Sequence, residues 1–281
     1  MNKKTLLLKK YLKNKKCFNI PTCHDPLSAK LIEKKGFKIS FIGGFALSSA
    51  SLGYPDASLI TQKELVDNTR VICNHTKNPV IVDADTGFGG LSNVYKTVDD
   101  LGKAGASALV LEDQVFPKRC ALTDQVKLLD KISAKERVDT AVQAKKENGE
   151  ILLIARTDAL TMGNIEEAID RGNLFKKSGA DAVFITGINS IKQLKEIKRN
   201  IKDIPLMLNV TQNIQFKIND AVKNKYKFIL FSQQILNAYI DSTNKTLDFI
   251  KSNKLPKSKN KTKDTLDLLE FKKFVKIEKN K

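Results

Sequence analysis

The chain has 281 residues, 41% of them hydrophobic and 28% charged, with 14 glycines, 7 prolines and no tryptophan. This composition excludes the disordered, collagen-like and disulfide-scaffold classes, and no apolar run reaches the roughly 18 residues a membrane span needs. Lys and Arg number 49 against 31 acids, a net charge of +18. The excess is terminal: residues 1–16 hold seven lysines and no acid, residues 251–281 eleven lysines and four acids, and the rest carries only +4.

The opening MNKKTLLLKKYLKNKK offers only LLL as an apolar stretch, too short for a signal-peptide core, so a cytoplasmic location is expected. Both basic ends read as solvated. No zinc-finger spacing, aromatic RNA-binding signature or long basic helix accompanies them, so neither nucleic acid nor membrane is an expected partner. Cys17, Cys23, Cys73 and Cys120 form no CxxC pair; they are expected to be reduced, the first three as core or near-core thiols.

Eight nearly continuous apolar runs follow in chain order: 17–22, 38–43, 79–85, 107–113, 151–157, 181–187, 205–210 and 227–232. Continuity rather than alternation marks parallel strands covered on both faces. Helical stretches lie between them. Asp25-Pro26 has the form of a helix start, and Gly36, Gly105 and Gly179 stand where helices close. Eight strand–helix units predict an α/β fold, a (β/α)8 TIM barrel over residues 1–250. A doubly wound sheet is the alternative, but no GxGxxG follows the first strand. Residues 232–252 read as a helix, followed by the linker SNKLPKSKNKTK and a short amphipathic tail, LDLLEFKKFVKI. Residues 251–281 thus form an extension expected to pack on a neighbouring subunit or on the barrel's outside.

In such barrels the C-terminal strand ends carry the chemistry. Those ends hold Gly43-Gly44, Asp83, Asp85, Glu112, Asp113, Arg156, Thr186 and Asn209. One acid there could simply cap the next helix. Asp83, Asp85 and Glu112 from two adjacent strands, facing Arg156, instead favour a hard-oxygen site for Mg²⁺. Arg156 can clamp a carboxylate bidentately, and the glycine-rich DADTGFGG segment can bring backbone N–H groups to an anion.

Four segments, FIGGFALSSASLGYPD, VDADTGFGG, LEDQVFPKRC and IARTDAL, resemble in order and interval the isocitrate lyase/phosphoenolpyruvate mutase superfamily, over roughly residues 18–240. The resemblance implies a barrel whose last helix swaps between subunits, a homotetramer, Mg²⁺ (or Mn²⁺ in its place) and a small carboxylate or phosphonate substrate. It implies Asp83 and Asp85 as metal-binding aspartates and Glu112 as a further carboxylate of the metal shell. Gly43, Gly44 and Phe45 match the segment that holds the substrate carboxylate, Arg156 the substrate-binding arginine, and Asp56 an aspartate near the site. In the carbon–carbon lyases the loop after strand four reads Lys-Lys/Arg-Cys-Gly-His. Here Lys118-Arg119-Cys120 is followed by Ala121-Leu122, while Phe116-Pro117-Lys118 resembles the mutase branch. The loop is expected to act as a lid, with Cys120 as proton donor to a carbanion. Thr186, Gln212 and Asn237 stand where lyases carry charged residues for larger substrates.

The expected site is therefore catalytic Cys120, Lys118 and Arg156, and metal-binding Asp83, Asp85 and Glu112. Substrate binding is assigned to Gly43, Gly44, Phe45, Asp56, Ala121, Arg156, Thr186, Asn209 and Thr211. The expected activity is Mg²⁺-dependent cleavage of a C–C bond in a small 2-hydroxy or 2-oxo di- or tricarboxylate, in the manner of a 2-methylisocitrate lyase. Mutase-type phosphorus–carbon chemistry, 2-oxo acid hydrolysis or decarboxylation, and a catalytically weak binding role are the alternatives.

Overall fold

The computed structural model describes residues 2–121, 126–149 and 151–279. Eight short strands, β1 (Phe18–Cys23), β2 (Ser40–Ile42), β3 (Val80–Asp83), β4 (Ala108–Glu112), β5 (Leu152–Thr157), β6 (Ala182–Ile185), β7 (Leu206–Val210) and β8 (Phe228–Phe231), pair in parallel and in sequence order. β1 also pairs with β8, closing the barrel. Seven strands lie within their apolar runs, trimmed by up to two residues at either end, and β1 is shifted by one residue, from 17–22 to 18–23. The helices are α1 (Lys3–Lys13), α2 (Pro26–Lys34), α3 (Gly44–Leu47), α4 (Gln62–Asn74), α5 (Leu91–Lys103) and α6 (Lys131–Asn148), then α7 (Ile165–Ser178), α8 (Ile191–Asn200), α9 (Ile218–Lys223), α10 (Gln234–Lys251), α11 (Thr262–Leu268) and α12 (Phe271–Lys279).

Inside the continuous apolar runs a period of two decides which side chain meets which layer. Ile81, Val110, Ile154, Phe184, Met207 and Leu230 belong to the barrel interior. Val82, Leu109, Leu153, Val183 and Leu208, one residue out of phase, are equally buried but face the other side of the sheet. Following the interior rows one step further along each strand gives Asp83, Glu112 and Arg156. The register sets Glu112 directly beside Arg156. The polar residues of the mouth are thus the top layer of an otherwise apolar stack.

Local signals behave as expected at several termini. Asp25 caps α2 by accepting from the Ser28 N–H at 2.6 Å, and Gly36, Gly105 and Gly179 all take left-handed backbone. At Gly105 a Cβ would also come within 3.2 Å of the Cys73 Cβ.

The N-terminal segment departs from the solvated tail expected of it. Asn2 caps α1 through the Thr5 N–H, and Leu8 is fully buried in the barrel-interior cluster, with Tyr11, Leu12 and Phe18 packed against it. The spacing of Leu8, Tyr11 and Leu12 is a helical i, i+3, i+4 stripe, which the surrounding lysines mask in a composition count. Lys227 locks the arrangement, donating to the Tyr11, Asn14 and Lys16 carbonyls.

The chain forms two compact units, Met1–Gln234 and Ile235–Lys281. In the second unit the expected tail helix is two helices, because Glu270 adopts a left-handed φ of 58° between α11 and α12. No side chain of α11 or α12 is buried. Among the described residues no helix is long and apolar enough to cross a membrane.

Candidate active site

At the C-terminal mouth the acids and cations interleave. Arg156, 9% exposed, sends Nε and Nη2 to the two oxygens of Asp158 at 2.8 and 2.9 Å. Its Nη1 lies 3.0 Å from Glu112 Oε2 and 3.7 Å from Asp83 Oδ2, and the guanidinium sits 5.6 Å from the centre of the Phe184 ring. Lys118, 2% exposed, pairs with Asp56 and reaches Asp85 Oδ1 at 3.0 Å. The Thr186 hydroxyl donates to Asp158, and its N–H to the Thr157 carbonyl.

Asp85 is aimed by its backbone. It lies past β3 with φ 49°, a left-handed conformation that costs a non-glycine residue energy and needs external support. That support comes from β4: the Glu112 N–H donates to the Asp85 carbonyl at 2.9 Å, and the Ala84 N–H to the Val110 carbonyl at 2.9 Å. A Cβ on Gly44 would stand 3.1 Å from Asp85 Oδ1, 3.7 Å from Asp56 Oδ1 and 3.8 Å from Asp83 Oδ2. Glycine at 44 therefore leaves room for three carboxylate oxygens on one face.

Burial dominates the protonation of this cluster. It pushes Asp85 up to about 6, against the pull of Lys118 and reinforced by Asp83 and Asp56. It raises Glu112 well above the usual carboxylate range despite Arg156. Burial also works against charge on Asp158, but Arg156 together with the Thr186 and Gln114 donors holds that carboxyl below its ordinary value. Lys118 is likewise disfavoured by burial, yet Asp85, Glu112, Asp56 and Asp83 keep its ammonium well above the lysine norm.

Five carboxyls, those of Asp56, Asp83, Asp85, Glu112 and Asp158, each no more than 12% exposed, share two cations. Glu112 Oε1 is buried with no hydrogen-bond donor among the described residues. An excess of buried hard oxygens, one of them orphaned, suits a divalent cation. Among the described residues no group of three acidic, His or Cys side chains is set to hold a metal ion. Lys118 and Arg156 stand among the carboxylates and are paired with them.

Above this layer is a cavity of about 80 Å³ lined by Phe41, Gly43, Gly44, Phe45, Ala46, Asp56, Asp83, Cys120, Ala121, Arg156, Phe184, Thr186, Asn209, Leu230, Ser232 and Gln233. Most of the expected substrate-binding set is thus gathered on one wall or another. Thr211 is not among these residues; it lies half-buried past the end of β7. Asp85, Glu112 and Lys118 are also outside the lining. A larger open depression of about 760 Å³, lined by residues of α6 and α7, contains none of the site residues. The glycine-rich segment does not line the cavity either. The Gly87 N–H goes to the Ala84 carbonyl and the Gly90 N–H to Asn93 Oδ1, and a Cβ on Gly87 would strike Val94 at 2.6 Å. Gly87 and Gly90 thus serve the turn and its packing on α5. Leu122, at the altered end of the loop motif, lies outside the described residues.

Two residues absent from the expected set hold the site together. Asp158 orients Arg156, and its position two residues on, on the same side of the chain, was a readable signal. Gln114 donates to Asp158 Oδ2 at 2.6 Å. It also pairs with Arg119 of the loop, a contact that no local pattern announces.

Comparison with known proteins agrees with this geometry. Residues 8–251 match the family described as phosphoenolpyruvate phosphomutase. A 2-methylisocitrate lyase of Aeropyrum pernix is 33% identical over 267 residues, 94% of this chain and 83% of that protein. The crystal structure of a 2,3-dimethylmalate lyase, described as a PEP mutase/isocitrate lyase superfamily member, superposes with a TM-score of 0.92 at 27% identity, covering 99% of this chain and 95% of that one. A phosphonopyruvate hydrolase solved with oxalate and Mg²⁺ gives a TM-score of 0.88 at 26% identity, with 98% of each chain covered. The barrel, its acid-rich mouth and these likenesses together make the chain an enzyme of the phosphoenolpyruvate mutase/isocitrate lyase superfamily of lyases and mutases.

Proposed function

We propose that the protein is a divalent-metal-dependent lyase that breaks a carbon–carbon bond in a small 2-hydroxy or 2-oxo carboxylate. The observation that carries this reading is the surplus of buried carboxyl oxygens at Asp56, Asp83, Asp85, Glu112 and Asp158 beneath a cavity that Cys120 lines. Asp83, Asp85 and Glu112 would hold Mg²⁺, which when bound supplies Lewis-acid stabilisation of the negative charge that develops on a substrate oxygen. The resemblance to enzymes acting on methylated hydroxy acids, and to one that takes oxalate with Mg²⁺, supports this assignment.

The chain's own residues do the rest. Arg156, fixed on one side by Asp158, turns Nη1 to Glu112 at 3.0 Å; a divalent cation taking over Glu112 would release that N–H for a substrate carboxylate. The Gly43–Phe45 backbone approaches the substrate with no side chain at 43 or 44 in the way, and Phe41, Phe184 and Leu230 keep the pocket wall apolar. As the C–C bond breaks, its electron pair stays on the departing fragment. The Cys120 S–H proton converts that carbanion to a C–H bond. The hydroxyl proton lost as the new carbonyl forms balances the thiolate through solvent.

The cavity sets Arg156, Thr186 and Asn209 against the apolar Phe41, Phe184 and Leu230, a lining suited to a small carboxylate. The same observation supports a second reading, decarboxylation or phosphorus–carbon chemistry on a small 2-oxo acid. A panel of 2-methylisocitrate, isocitrate, 2,3-dimethylmalate, oxaloacetate and phosphonopyruvate with Mg²⁺ separates the two. Pyruvate or glyoxylate release from the hydroxy acids supports the first; conversion of phosphonopyruvate alone, followed by phosphorus NMR, supports the second. Cys120→Ser is expected to abolish C–C cleavage and leave Mg²⁺ binding unchanged. Full activity in that variant removes the proton-donor role. The homotetramer implied by the resemblance is checked by light scattering.

A further inference from the structure

We propose that Gln114 is a positioning residue that ties the loop bearing Cys120 to the Arg156 clamp, so that thiol and guanidinium keep one fixed relation. Gln114 is 1% exposed, and its carboxamide is fully used. Oε1 accepts the Arg119 N–H at 3.0 Å, while Nε2 donates to the Arg119 carbonyl at 3.0 Å and to Asp158 Oδ2 at 2.6 Å. The paired bonds to Arg119 imitate the edge of a β-strand, holding both backbone groups of the residue that precedes Cys120. Asp158 in turn binds Arg156 through both oxygens.

The anchor itself is rigid. The Gln114 carbonyl accepts from Arg137 Nη1 at 2.7 Å, and Gln114 forms an antiparallel bridge with Leu128. On either side, the Val115 N–H donates to Lys127 and the Leu129 N–H to Asp113, at 2.8 and 2.9 Å. A continuous series of hydrogen bonds thus runs from the Arg119 main chain through Gln114 and Asp158 to Arg156. Only a carboxamide makes all three bonds: a carboxylate would face Asp158 with like charge, and a hydrocarbon would release the Arg119 main chain and take one donor from buried Asp158. The catalytic meaning of Cys120 and Arg156 rests on the proposed function; the linkage between them does not.

The test uses the full-length protein and its Gln114→Met variant, alkylated with iodoacetamide at pH 8 and read residue by residue by peptide mass spectrometry, with and without oxalate and Mg²⁺. Cys23 and Cys73 report folding, since both are buried and burial pushes the Cys73 thiol up to about 12 and Cys23 higher still. In the variant, Cys120 is expected to react at least 10-fold faster while Cys23 and Cys73 stay silent. Oxalate is expected to slow Cys120 about 10-fold in the parent and less than 2-fold in the variant. Equal rates in the two proteins, or no oxalate protection in a parent that binds oxalate by calorimetry, overturns the proposal. If oxalate does not bind the parent, it is the functional reading that fails, and the unliganded rates alone decide the linkage. If Cys23 and Cys73 react in the variant, amide exchange in the parent decides it. An Arg119 N–H at least 100-fold slower than an unstructured peptide supports the linkage, and exchange at the coil rate overturns it.

Discussion

Among the described residues each end of the barrel buries one lysine, and the two are held in opposite ways. At the mouth, Lys118 is 2% exposed and meets the carboxyls of Asp56 and Asp85. At the floor, Lys227 is 8% exposed and meets only uncharged oxygens, the carbonyls of Tyr11, Asn14 and Lys16 and the Asn14 side chain. Anionic neighbours outweigh burial and keep Lys118 firmly charged. Dipoles do not, and burial lowers the Lys227 value even with Cys17 opposing it. The mouth is balanced by charges that another cation can replace; the floor is closed by directional bonds that nothing soluble can supply.

Substitution at the two lysines tests that difference, and the largest effect is expected at the mouth. Lys118→Met leaves Asp56 and Asp85 buried without their cation, a loss of about 3–5 kcal/mol in urea unfolding, and millimolar Mg²⁺ is expected to restore most of it. Failure of Mg²⁺ to do so would mean the acids are not available to a metal. Leu8→Ala, which empties a fully buried site in the floor, is expected to cost about 2–5 kcal/mol with Mg²⁺ binding by calorimetry unchanged. A simultaneous loss of metal affinity would show that the two ends are not separable. Lys227→Met, which strands backbone carbonyls without removing a partner charge, is expected to cost about 1–3 kcal/mol. No concentration of Mg²⁺ should recover it. Recovery there would erase the contrast.

What could be read from sequence follows the same division. The strands were legible because eight apolar runs have no other use in a chain this polar, and Asp83, Glu112 and Arg156 because each continues an interior row by one step. The role of Leu8 was hidden by seven lysines within sixteen residues, although its helical stripe with Tyr11 and Leu12 was present. Lys118 was read toward the substrate because its partner Asp56 lies 62 residues away. Gln114 was out of reach for a related reason: its meaning arises when a loop folds back on its own base, and no periodicity records that. Asp85 was placed at a strand end, whereas a left-handed turn beyond β3 is what aims it.

The floor lysine also sets an order of events during synthesis. Residues 11–16 leave the ribosome early, but the ammonium that fastens them and the strand that pairs with β1 arrive only at residues 227–231. At about 5–20 residues per second, the nascent chain carries an unsealed half-barrel for roughly 10–40 s, with Leu8, Tyr11 and Phe18 still waiting for Phe228. A truncation before β8 is therefore expected to yield no smaller barrel, only a chain for chaperones to hold.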